Sequence, residues 1–88
     1  LLVFVPTRHL TREWAWRLAR SLGLEEASDA LDALGGFEEN HSRTLLEQCF
    51  DGGVGFHNAD LTPELRSLVE RQFASGALRV LVATSTLA

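Results

Sequence analysis

Apolar and polar positions along the chain follow two patterns, one typical of buried strands and one typical of amphipathic helices. Three short apolar runs predict strands: "LLVFVP" at the start, "VGFH" in the middle and "LRVLVAT" near the end. The run at Val80–Ala83 has the continuous apolar character of a strand that is covered on both faces of a sheet. The first strand ends at Pro6, which cannot donate to a strand ladder.

The segment after the first strand predicts a helix that ends at Gly23. Its apolar residues Leu10, Trp14, Leu18 and Leu22 are spaced four residues apart, so we expect them to form its inner face.

Three further helices are predicted from similar periodicity. They cover residues 25–34, residues 41–50 and a segment that begins at Thr62 and ends before Gly76. The last has the clearest start, because Thr62 is a good N-cap and Pro63 suits the first helical position. The element order is then β-α-α-α-β-α-β. Strands that alternate with helices indicate an α/β fold with a parallel sheet, flanking helices and right-handed crossovers.

Composition indicates a small soluble globular domain, since 45% of the 88 residues are hydrophobic and 23% are charged. No apolar run approaches the roughly 20 residues that a membrane helix needs, and we expect no membrane partner. The single cysteine, Cys49, lies on an apolar helix face and is expected in the core. A lone cysteine suits a reducing compartment, so we expect a cytoplasmic protein, or a nuclear one in a eukaryote.

The ends of the sequence suggest a segment of a longer protein. The chain has no Met, its first residue lies inside a predicted strand, and its last residue follows another. Three strands are also few for a finished sheet. We therefore expect residues 1–88 to be part of a larger domain.

Charge is distributed unevenly along the chain, although the net charge is only -4. Residues 1–24 carry four arginines and one acidic residue, whereas residues 25–51 carry eight acidic residues and one arginine. An acidic total argues against non-specific nucleic-acid binding by the whole surface, but it leaves room for a local basic site. The acidic segment is expected to face away from any bound phosphate backbone.

Polar side chains follow each predicted strand at its carboxyl end. In a parallel sheet these ends share one edge, which is where open α/β sheets bind ligands. Hydroxyl groups, backbone N–H groups and arginine are the groups that bind phosphate oxygens. The candidate nucleic-acid-binding residues at this edge are Thr7, Arg8, His57, Asn58, Thr84, Ser85 and Thr86.

Three sequence motifs resemble those of a known family. "VFVPTR" resembles motif IV, "FHNADL" resembles motif IVa and "VLVATSTLA" resembles the start of motif V of superfamily-two helicases, in the superkiller-type branch. The stretch "LTPELRSLVERQF" between the last two adds to the likeness, which is weakest over residues 24–50. Motif IVa in that branch usually reads His-His-Ala-Gly-Leu, so Asn58 and Asp60 depart from it.

The resemblance implies the second RecA-like lobe of an ATP-driven motor that moves along single-stranded DNA or RNA. In such motors this lobe grips the sugar-phosphate backbone and helps to form the ATP site with a first RecA-like lobe. By position, the seven candidate residues named above would face the strand. ATP and Mg²⁺ would belong to the whole protein. The two departures would weaken or reshape the contact made by motif IVa.

No phosphate-binding loop of the GxxxxGK[ST] type is present, and the chain contains no Lys. We therefore expect the isolated segment to be catalytically silent. An alternative from another class is a degenerate RecA-like lobe that is kept as a non-catalytic interaction module. A response-regulator-like domain is disfavoured, because no acidic pocket follows the first strand.

The first helix also carries an aromatic and basic stripe that the resemblance does not explain. Trp16 is turned about 200° from Trp14 and shares a face with Arg12 and Arg20. Such a stripe can stack on a base or dock a neighbouring domain. We favour a structural role instead, with Trp16 covered by the acidic residues 25–39 and both arginines paired with their carboxylates.

Overall fold

The computed structural model describes residues 1–84, which form three strands and four helices in the predicted order. The elements are β1 (Leu2–Val5), α1 (Arg8–Ser21), α2 (Ser28–Leu34), α3 (His41–Phe50), β2 (Val54–His57), α4 (Pro63–Ala74) and β3 (Val80–Thr84). Within this range, no helix is both long enough and apolar enough to cross a bilayer.

The three strands form one parallel sheet in the order β1-β3-β2, which confirms the predicted α/β class. The last strand in the chain is therefore the central one. Val5 is in register with Thr84, and His57 is in register with Ala83, so all three strands end at the same level. This architecture is consistent with an incomplete RecA-like lobe.

Helix α2 begins later than its sequence predicts, at Ser28 rather than at residue 25. The backbone N–H of Ala27 donates to the carbonyl oxygen of Phe50 at 2.9 Å. That bond joins the chain to the end of α3, and Ala27 has a non-helical backbone conformation and is the N-cap of α2. By contrast, α3 and β2 have their predicted bounds, and α4 begins at Pro63 with the Thr62 hydroxyl as its cap.

The core lies between the sheet and the helices, and it is concentrated on β2 and β3. Val54, Phe56 and Val82 are fully buried, and Val80 is nearly so. Cys49 is also buried, as predicted. On the edge strand β1 the situation differs, because one face is open and leaves Phe4 56% exposed.

The inner face of α1 was predicted only in part, because Leu10 and Leu18 pack against the core but Trp14 and Leu22 are exposed. Its buried residues are Thr11 and Ala15, whereas Trp14 is 42% exposed. A four-residue spacing drifts around a helix that has 3.6 residues per turn, so the large apolar residues do not form one stripe. Small residues face inward instead and allow a close approach. A Cβ atom placed on Gly52 would lie 2.3 Å from the carbonyl oxygen of Ala19.

The predicted cover over Trp16 is also absent among the described residues. Trp16 is 44% exposed, and the guanidinium of Arg20 stacks over its ring at 4.7 Å from the centroid. Arg12 pairs with Asp60, which lies after β2 and not in the acidic segment. Among residues 1–84, Arg12 and Arg20 thus have partners outside residues 25–39, and neither forms an ion pair with that segment.

Three carboxylates of the acidic segment lie at the amino-terminal edge of the sheet. Glu25, Glu26 and Asp29 border a cleft together with Gly76 and Arg79, which precede β3. The carboxyl ends of the strands are at the opposite edge. These three carboxylates therefore face away from the candidate site, as the charge argument predicts.

Candidate nucleic-acid interface

The carboxyl ends of the three strands meet in one open groove of about 740 Å³. Its lining combines apolar, hydroxyl and charged side chains from the strand ends, the loops after them and the start of α4. The lining residues are Phe4, Pro6, Thr7, Arg8, His57, Asn58, Ala59, Arg66, Glu70, Ala83 and Thr84. The expected convergence of the three strand ends on a single groove is thus confirmed.

The loop after β1 contributes Thr7 and Arg8. Thr7 is the N-cap of α1, and its hydroxyl oxygen accepts a hydrogen bond from the backbone N–H of Leu10 at 3.2 Å. The cap fixes Thr7 at the rim and places Arg8 in the first turn of α1. The Arg8 side chain is 58% exposed and is therefore accessible to a ligand in the groove.

His57 ends β2 and lies on the other side of the groove. Its Nε2 atom is 2.8 Å from Oε2 of Glu70 on α4, and its side chain is 27% exposed. The carboxylate thus occupies one ring nitrogen and fixes the orientation of the ring. His57 remains at the groove with its ring partly accessible.

Asn58 borders the groove, but its side chain is buried. The residue is only 2% exposed. Its Nδ2 atom donates to Oγ1 of Thr11 at 2.9 Å, and its Oδ1 atom accepts from the backbone N–H of Asp60 at 2.9 Å. Buried amide groups need such partners, and here the partners hold the loop after β2 against α1. The side chain therefore has a structural role.

Asp60 lies between two arginines of α1. Its Oδ1 atom is 2.8 Å from Nη1 of Arg8, and its Oδ2 atom is 2.9 Å from Nη1 of Arg12. The hydrogen bond from Arg8 is the main cause that lowers the pKa of Asp60, and Arg12 adds to it. The carboxylate is therefore charged at neutral pH, and it partly neutralises Arg8, one of the two arginines that line the groove.

Thr84 ends the central strand and is half-buried between the loops after β1 and β2. Its position in the groove is as expected. The other two residues of the predicted hydroxyl cluster, Ser85 and Thr86, lie outside the described residues.

Sequence reasoning missed six of the eleven lining residues, among them Arg66 and Phe4. Arg66 is in the first turn of α4 and supplies a second cation. Among residues 1–84 it forms no ion pair, in contrast to Arg8. The sequence did indicate the position of Arg66, because α4 follows β2 and its first turn must therefore lie near the same edge of the sheet. Phe4 was missed because it lies within an apolar run and carries no polar group.

The groove has the composition of a site for an extended anion. Arg8 and Arg66 provide positive charge, and Thr7 and Thr84 add hydroxyl groups. The one carboxylate in the lining, that of Glu70, is held by His57. Such a set can bind phosphate oxygens without reading bases, since phosphate contacts carry no sequence information.

The sequence of the chain is similar to segments of known helicases. The chain is 37% identical to the ATP-dependent DNA helicase Hel308 of Pyrococcus horikoshii, over 98% of this chain and 13% of that protein. It is 35% identical to Hel308 of Thermoplasma acidophilum, over the whole chain and 12% of that protein. It is 32% identical to the ATP-dependent DNA helicase MER3 of Saccharomyces cerevisiae, over the whole chain and 7% of that protein.

The chain is homologous to a segment of these helicases. It spans at most 13% of the length of these three relatives. No family model matches it.

Proposed function

We propose that this chain is part of the second RecA-like lobe of an ATP-dependent DNA helicase of the superkiller-type branch. In this proposal the groove at the carboxyl edge holds the sugar-phosphate backbone of a single DNA strand. One observation carries it: in a chain homologous to helicase segments, Thr7, Arg8, His57 and Thr84 line one groove although they come from three different strand ends.

The chemistry of the groove supports backbone binding over base reading. Arginine binds phosphate through several N–H donors, and threonine hydroxyls contribute single hydrogen bonds. Arg8 and Arg66 approach from α1 and α4, so they are suited to two phosphates of one strand. A motor that moves along DNA needs this kind of contact, because it must bind every sequence in turn.

In this proposal, ATP and Mg²⁺ bind to the whole protein and not to this segment alone. The chain has no Lys and no glycine-rich phosphate loop. Among residues 1–84, no three His, Cys, Asp or Glu side chains come together as metal ligands. These residues do not fit a triphosphate site by themselves. We propose that the nucleotide binds between this lobe and a first RecA-like lobe of the same protein, and that the segment alone hydrolyses no ATP.

Binding of a short fluorescent oligothymidylate, measured by anisotropy, tests the proposal. Arg66→Gln is expected to weaken binding several-fold and to reduce the slope of log affinity against log salt by about 0.7, the value for one phosphate contact on a single strand. Arg71→Gln is the matched control, because it removes the same charge from the exposed surface of the same helix. Equal effects of the two variants would contradict binding in the groove.

A further inference from the structure

We infer that Asp60 is a competing carboxylate that limits the affinity of the groove for phosphate, an inference that rests on the proposed function. Asp60 forms an ion pair with Arg8, which is the cation that α1 contributes to the groove. A phosphate that binds Arg8 must therefore either displace Asp60 or share Arg8 with it. The inference assigns to Asp60 a role in setting strand affinity and its dependence on salt.

The geometry holds the carboxylate in place while a phosphate enters. Oδ2 of Asp60 is bound to Arg12, which does not line the groove, at 2.9 Å. The backbone N–H of Asp60 donates to Oδ1 of the buried Asn58, also at 2.9 Å. Asp60 is thus attached at two points that do not depend on Arg8. Loss of the Arg8 contact leaves the carboxylate beside the groove.

Asp60 acts in this position as an internal counterion. Binding of polyanions by arginine gains free energy when small counterions are released from the strand. When a phosphate replaces Asp60 at Arg8, the new contact is offset by the loss of an existing ion pair. The displaced carboxylate, still held by Arg12, then also repels the phosphate. Both effects lower affinity, and both vanish when Asp60 loses its charge.

The size of the effect follows from the repulsion of two unit charges near a protein surface. Because Arg8 and Asp60 are both exposed, the dielectric constant of water applies, and two unit charges about 4 Å apart then repel by about 1 kcal/mol, which corresponds to about fivefold in affinity. Asp60→Asn is therefore expected to raise affinity for oligothymidylate about fivefold. It is also expected to make the salt slope steeper by about 0.7, since Arg8 becomes a full phosphate contact.

The experiment compares oligothymidylate binding by the 88-residue chain and its variants over a range of salt concentrations. Asp60→Ser is a second variant, and thermal unfolding confirms that both are folded. Glu26→Gln is the matched control, because it removes one exposed carboxylate at the opposite edge of the sheet. In an Arg8→Gln background, Asp60→Asn is expected to raise affinity less than it does in the wild-type chain, because only the direct repulsion remains and the competition for Arg8 is absent.

The outcomes separate this inference from the proposed function. If the wild-type chain binds and Arg66→Gln weakens it, but Asp60→Asn changes neither affinity nor slope, the inference fails while the groove remains the site. If Asp60→Asn and Glu26→Gln raise affinity equally, the effect is general charge repulsion and the inference also fails. If neither wild type nor any variant binds the strand, the proposed function fails, and the inference fails with it.

Discussion

The side-chain amide of Asn58 lies 2.9 Å from the hydroxyl oxygen of Thr11, and both residues are almost completely buried. The hydroxyl of Thr11 donates in turn to the carbonyl oxygen of Arg8 at 2.6 Å. This chain of hydrogen bonds connects the loop after β2 to the first turn of α1. It therefore fixes the two loops that supply Arg8 and Asp60 relative to each other.

Replacement of Asn58 by alanine is expected to destabilise the fold. The buried Thr11 hydroxyl loses a donor, and the backbone N–H of Asp60 loses its acceptor. Because unsatisfied buried groups are costly, we expect the free energy of unfolding to fall by about 1–3 kcal/mol. Urea denaturation measures this change in the free energy of unfolding. Gln48→Ala, at an exposed amide on α3, is the control and is expected to change stability by less than about 0.5 kcal/mol. An Asn58→Ala variant as stable as this control would show that the network contributes nothing.

Gly52→Ala is expected to destabilise the chain for a steric reason. The added methyl group would overlap the backbone of Ala19 on α1, which has no flexible atoms to move aside. Overpacking of this kind costs about 1–3 kcal/mol. Gly36→Ala is the control, because its Cβ would make only an ordinary contact, 3.8 Å from the carbonyl oxygen of Ala33. Thermal unfolding should place the Gly52→Ala midpoint clearly below that of Gly36→Ala, and equal midpoints would argue against the close approach.

Stability at acid pH reports on the ion pairs of Asp60. Its pKa is lowered in the folded chain, mainly by the hydrogen bond from Arg8. A lowered folded pKa adds stability above the unfolded value, near 3.9, and this is lost as the pH falls through the folded value. The difference in unfolding free energy between wild type and Asp60→Asn should thus be greatest near neutrality and disappear in strong acid. A difference that stays constant from neutral to strongly acid pH would contradict this.

Cys49 is expected to be unreactive while the chain is folded. The residue is 2% exposed, and burial raises the pKa of its thiol to about 12. At pH 8 only about one molecule in ten thousand then carries the reactive thiolate. Iodoacetamide should therefore modify the unfolded chain rapidly and the native chain only through transient unfolding. Equal rates of alkylation in buffer and in denaturant would show that the thiol is accessible.

Much of the fold could be predicted because local signals agreed with tertiary packing. α4 has a cap at Thr62, a proline at its first position and a regular apolar stripe, so its start was evident from sequence. The face of α1 could be predicted only in part from hydrophobicity, because its most buried positions are occupied by the small residues Thr11 and Ala15 and not by Trp14. Residue size at an interface depends on the partner, which the periodicity of one helix does not reveal.

The location of the candidate site could be predicted from the sequence better than its side-chain contacts could. Strand ends of a parallel sheet converge by topology, so Arg8, His57 and Thr84 could be placed together. Whether a polar side chain points into the groove or into the core depends on its hydrogen-bond partners. Asn58 is buried because its side chain bonds to Thr11 on α1. Arg8 is paired because the loop after β2, which carries Asn58, also carries Asp60. Both partners come from distant parts of the sequence.

The most direct test of the account is to map, by ¹H–¹⁵N NMR, which amides of the chain shift when oligothymidylate is added. We predict progressive shifts at Thr7, Arg8 and Thr84, around the groove, with little change at Glu25 and Glu26 on the opposite edge. Shifts confined to the acidic edge, or none at saturating oligonucleotide, would contradict the claim that the carboxyl-edge groove holds a nucleic-acid strand.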